Sequence, residues 1–90
     1  MLVKFFATYR QITNCLSCDI PAPDTVLGLL GELSQRWPEF RPLLLSPDAT
    51  DKGEGCIVMV NGRHIEHLDG VATQLSEQDY VAITPLVAGG

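Results

Sequence analysis

The sequence predicts an α+β fold, with one helix laid across one face of a mixed sheet, and three observations carry the prediction. Val26, Leu29, Leu30, Leu33 and Trp37 recur at helical spacing and give one apolar face. Five stretches, two before that helix and three after it, have the alternating or continuous apolar pattern of strands. Between two of them stands Asn61-Gly62, a dipeptide that favours a tight hairpin turn because both residues tolerate a positive φ. Ninety residues make one small domain with a modest core and little room for a deep enclosed substrate cavity.

Each element has its own reason. The first strand is expected over residues 2–9, where Val3, Phe5 and Ala7 alternate with Lys4, Phe6 and Thr8. Phe6 is then an aromatic on the polar face. Polar residues 10–14 are expected to lead into a second strand over 16–20, stopped by Pro21 and Pro23, so that the two strands form a first hairpin. Asp24-Thr25 supplies the helix N-cap and Pro38 ends the helix. Burying its apolar face contributes about 1.5–3 kcal/mol per side chain, enough to make it the main cover of the sheet. Gly28 and Gly31 weaken it by about 1 kcal/mol each.

Pro42, Pro47, Gly53 and Gly55 punctuate residues 39–55. Within them the apolar Leu43-Leu44-Leu45 is expected to pack or form a brief strand, and residues 46–55 to be a mobile loop. The continuous apolar run 56–60 predicts a strand buried on both faces, and after Asn61-Gly62 the chain returns over 63–66. Residues 71–75 suit a short turn of helix, and 80–84 alternate again with Val81 and Ile83 inward. Pro85 stops that strand. The domain is therefore expected over 1–85, with 86–90 a flexible tail ending in Gly89-Gly90.

Composition limits the chemistry. Six basic residues against eleven acidic ones give a net charge of -5, and the basic residues are scattered, which argues against nucleic acid as direct ligand and for a basic protein partner. No apolar run approaches membrane-spanning length and the chain opens directly into strand-like sequence, so no membrane partner and a cytoplasmic location are expected. Three cysteines, an odd number, fit reduced thiols better than a disulfide framework. The lone Cys15-Leu16-Ser17-Cys18 lacks a second pair at zinc-ligand spacing, and it falls in a hairpin and not at a helix N-terminus, where a redox thiol would be activated. Gly53-Glu54-Gly55 is followed by a strand, unlike a phosphate loop. Asp48 with Asp51, and Glu77 with Asp79, fall in polar loops as solvated surface. No nucleophile–base constellation stands out, so the chain does not read as an enzyme acting alone. Two glycines at the C-terminus are costly to order yet slip through narrow spaces, which suits insertion into another protein's active site.

Val3-Lys4-Phe5-Phe6-Ala7, Thr25-Val26, Val60-Asn61-Gly62, and the terminal block from Leu75 through Asp79, Val81-Ala82, Pro85, Val87 and Gly89-Gly90 occur in this order along the chain. Together they resemble the ubiquitin-like sulfur carriers of the MoaD/ThiS family, over essentially the whole chain. The resemblance implies a β-grasp fold. It also implies that a partner activating enzyme uses ATP to adenylate the Gly90 carboxylate, with no cofactor bound permanently by this chain. Sulfur from a persulfide donor then yields a C-terminal thiocarboxylate, which an acceptor enzyme consumes. Among such carriers the small subunit of molybdopterin synthase is the leading expectation, with that enzyme's large subunit as acceptor, because the 39–55 insertion exceeds the minimal thiamine type. Thiamine, tRNA-thiolation and tungsten-pterin pathways are related alternatives. A protein modifier joined to lysines, or an inert β-grasp module, are alternatives of another class.

The same resemblance assigns partner contacts. Leu86 and Val87 would anchor the tail on the partner, Ala88 would be a further partner contact, Gly89 and Gly90 would pass a narrow tunnel, and Phe6, His64 and Thr84 align with a patch on the exposed sheet face. That patch is usually apolar in such carriers, whereas His64 and Thr84 are polar.

Overall fold

The computed structural model describes residues 1–86. Five strands, β1 (Leu2–Phe5), β2 (Ser17–Asp19), β3 (Cys56–Val60), β4 (Arg63–His64) and β5 (Tyr80–Pro85), form one sheet in the order β2-β1-β5-β3-β4. The central β1–β5 pair is parallel and the others are antiparallel. The main helix, Val26–Arg36, lies across one face, which is the β-grasp arrangement. Thr25 caps it, its hydroxyl accepting the Gly28 N–H at 3.3 Å. Val26, Leu29, Leu30 and Leu33 are fully buried against the inward-facing Val3, Phe5, Val58, Val81 and Ile83.

Asn61 and Gly62 take φ values of 53° and 84°, as the tight turn requires. Asn61 does more than turn: its side chain donates to Asp79 Oδ1 and accepts the Tyr80 N–H, both at 2.9 Å, tying the hairpin to the start of β5.

Several expectations need correction. β1 ends at Phe5, four residues early, because Ala7 adopts φ 53° and swings the chain into a short helix, α1 (Tyr9–Thr13). The polar stretch 10–14 is thus largely helical. Tyr9 and Thr13, one helical turn apart, are its buried face, and Asn14 closes it in the left-handed conformation at φ 58°. With the main helix as α2, the Leu43-Leu44-Leu45 patch does pack, Leu44 and Leu45 being buried, but Leu43 and Leu44 belong to a third helix, α3 (Arg41–Leu44), entered from a 3-10 turn at Pro38–Phe40. Residues 46–55 form a hydrogen-bonded lobe. Ser46 N–H reaches Asp51 O at 2.9 Å, Gly53 N–H reaches Leu44 O at 2.9 Å, and Leu45 bridges to Lys52. The return strand β4 is two residues long before a 3-10 turn at Ile65–His67, and a second such turn at Gly70–Ala72 stands near the expected helical turn.

The two helix glycines differ. A Cβ at Gly28 would sit 3.2 Å from Pro23 Cβ, a tight fit, whereas one at Gly31 would meet nothing within 4 Å. Gly31→Ala should therefore recover the helix-propensity loss, raising stability by about 1 kcal/mol in urea denaturation.

Candidate docking face and tail root

A strand sends successive side chains to opposite faces, so burial of one set defines the other. In β3, Cys56, Val58 and Val60 are buried while Ile57 and Met59 are half-exposed, so this strand is buried on one face and not on both. A single helix covers only one side of the sheet. The opposite face displays Ile57 beside Thr84, and Met59 flanked by Ala82 and His64. Lys4 pairs with Ala82 on the other side of β5. Phe6, immediately beyond β1, continues the outward set, its N–H still donating to Ile83 O at 3.1 Å.

The expected Phe6, Thr84 and His64 therefore do share the outer face, with Ile57, Met59 and Ala82 among them. The patch is more apolar than the aligned positions suggest. Ile57 and Met59 were hidden by reading residues 56–60 as fully buried. The usable signal was a run apolar on both sides in a domain with one covering helix.

Phe6 is approached by two cations: Lys4 Nζ lies 5.1 Å from its ring centroid and Arg10 Cζ 5.4 Å. Arg10 is held there because its Nε donates to Phe5 O at 3.0 Å. His64 has a buried Nδ1 without a hydrogen-bond partner among the described residues, and its ring lies 6.4 Å from that of His67. Thr84 Oγ1 donates to Pro85 O at 3.3 Å.

β1 runs parallel to β5, so Phe6 and Thr84 lie at the sheet end from which the tail departs. There Leu86 N–H donates to Gly55 O at 2.7 Å, one rung past the Cys56–Pro85 pair, while its side chain is 63% exposed. Val87, Ala88, Gly89 and Gly90 lie outside the described residues. On the helix side, a groove of about 690 Å³ lined by Tyr9, Leu43, Leu45, Lys52 and Pro85 adjoins the tail root.

Two of the thiols, Cys18 and Cys56, are shifted away from activation. Burial pushes Cys56 up to about 11, and burial followed by the neighbouring Cys15 raises Cys18, the reverse of an activated redox thiol. Tyr9 is also raised, chiefly by burial and then by the neighbouring Cys56. Among the described residues no three His, Cys, Asp or Glu side chains converge as a metal site, and no helix is long and apolar enough to cross a membrane.

Known proteins share this architecture and sequence. The model of the ThiS family matches residues 3–90. Small archaeal modifier protein 3 of Haloferax volcanii is 33% identical over 90 residues, covering 98% of this chain and 96% of its own length. The solution structure of small archaeal modifier protein 1 from Methanosarcina acetivorans superposes with a TM-score of 0.85 at 24% identity, covering 99% of this chain and 94% of that one. A putative molybdopterin converting factor, subunit 1, from Pyrococcus furiosus gives a TM-score of 0.76 at 26% identity, covering 96% and 95%. The fold, the match along nearly the whole chain and the kinship with the modifier protein together place this chain in the ThiS family of ubiquitin-like sulfur carriers and modifiers.

Proposed function

We propose that this chain carries sulfur on its C-terminal glycine, as the small subunit of a molybdopterin synthase. The observation that carries this reading is the family match running through the terminal diglycine, on a domain where Phe6 and Thr84 of the outer face lie at the end of the tail root. A carboxylate is a poor electrophile because its charge is delocalised, so it needs a leaving group first. The Gly90 carboxylate oxygen attacks the α-phosphorus of ATP on the activating enzyme and pyrophosphate departs. A persulfide then attacks the acyl carbon and releases AMP. A thiol cleaves the resulting acyl disulfide, leaving the thiocarboxylate here and a disulfide on the donor. Gly89 and Gly90 pass the partner's tunnel because they lack a Cβ. Leu86 and Val87, docked on the partner with the outer face, hold the reactive carbon at high effective concentration. The molybdopterin assignment is supported by the similarity to the converting-factor subunit and by the long 39–55 segment.

Kinship with a protein named as a modifier favours a second reading, in which the activated Gly90 is joined to protein lysines.

One reaction tests both. The chain is incubated with its activating enzyme, ATP, a persulfide donor and a thiol, and its intact mass is read. The carrier reading expects one terminal oxygen replaced by sulfur, abolished by deleting Gly90 with the far-UV spectrum unchanged. No replacement with an activating enzyme proven competent would exclude it, and appearance of lysine-linked adducts would favour the modifier. Supplying the large subunit and the pterin precursor then decides the pathway.

A further inference from the structure

Resting on the reading that the activating enzyme covers the outer sheet face, we propose that this enzyme presents acidic side chains opposite Lys4 and Arg10, on the rim of an apolar centre. The net charge of -5 suggests the opposite, a basic partner. The local arrangement decides otherwise. Lys4 and Arg10, two of only six cations, are both gathered at Phe6, the aromatic of the patch nearest the tail. Neither is ion-paired among the described residues. Contact with an aromatic ring holds a cation in place without neutralising it.

Glu54 stands on the groove side of the tail root, which it lines with Thr8, Tyr9 and Pro85. Among the strand residues of this face the single acid is Asp19, opposite Leu2 at the end remote from Thr84, and it accepts from the Met1 ammonium at 3.1 Å. Charges beyond the Debye length of about 8 Å act weakly through salt, so the charges that touch the partner weigh more than the chain's total. Covering the patch strips water from both cations. Without carboxylates opposite them that desolvation opposes binding, and a basic partner would add repulsion. The apolar centre of the footprint is Ile57, Met59 and Ala82, which ask for apolar partner side chains.

The test is calorimetric titration of the wild-type chain and variants with the purified activating enzyme of the same organism, at low and high salt. Lys4→Glu with Arg10→Glu should weaken binding by tenfold or more, and salt should weaken the wild type but have less effect on the variant. Because Arg10 also hydrogen-bonds Phe5 O, Lys4→Glu alone is the second arm. Its ammonium makes no hydrogen bond among the described residues, and it should still weaken binding several-fold with the fold intact. Unchanged or tighter binding of the reversed variants would overturn the inference. Binding needs no turnover, so it decides the charge question whatever the mass assay reports. A wild type that gains sulfur while its reversed variants bind equally well would sink the acidic rim alone; a wild type that gains none sinks the carrier reading instead.

Discussion

Phe5→Ala should destabilise the domain by about 3–5 kcal/mol, a large share of the 5–15 kcal/mol typical of a domain. Phe5 is fully buried on β1, between the sheet and the elements that cover it. Its ring meets Trp37 edge-on at 5.7 Å and stacks near Phe40 at 5.8 Å, and Phe40 in turn takes the edge of Tyr9 at 5.3 Å. Removing it leaves a cavity beneath the end of α2, the following 3-10 turn and α1 together, elements that cannot all collapse inward. Phe5→Leu, which keeps most of the volume, should cost markedly less. Urea denaturation followed by Trp37 fluorescence measures both. A loss below 1 kcal/mol for the alanine variant would mean that the aromatic cluster is not what fixes the 3-10 turn to the sheet.

Gly53→Ala is the second large effect, for a different reason. A Cβ at that position would stand 2.2 Å from Leu43 O and 3.0 Å from Leu43 C. Both are backbone atoms of α3, so no side-chain rotation relieves the clash and the lobe or the helix must move. The expected cost is about 1–3 kcal/mol, the range of overpacking. The movement propagates to the tail. Gly53 O accepts the Cys56 N–H at 3.2 Å, and Gly55 O is the acceptor for Leu86 N–H, so shifting this segment loosens the last rung before the tail. Amide hydrogen exchange at Leu86 should accelerate. Gly55→Ala is the control, since a Cβ there meets nothing within 4 Å, and its exchange and stability should stay near wild type. Equal behaviour of the two variants would show that the lobe does not restrain the tail root.

The candidate site was partly legible for a physical reason that differs residue by residue. Phe6 stood out because strand alternation placed an aromatic on a polar face, and the pairing with β5 keeps it there. Ile57 and Met59 did not stand out, because an apolar run reads the same whether its second face meets protein or solvent. Arg10 was only one of several scattered cations until α1 turned it back onto Phe6. Phe40 and Leu44, both fully buried, lay in a stretch broken by prolines, where periodicity has no window long enough to register.

By itself the sequence determined what short-range chemistry controls. The capped amphipathic α2, the Asn61-Gly62 turn, and the inward residues of β1 and β5 follow from capping, backbone tolerance and alternation within a few residues. The tertiary structure alone decided the reversal at Ala7, the lobe of residues 46–55 and which apolar face stays open. Each depends on contacts between distant parts of the chain, whose energy outweighs local preference: Tyr9 against Phe40, Gly53 against α3, and one helix able to cover only one side of five strands. The reversal at Ala7 also brings Arg10 beside Phe6, where strand alternation already places Lys4.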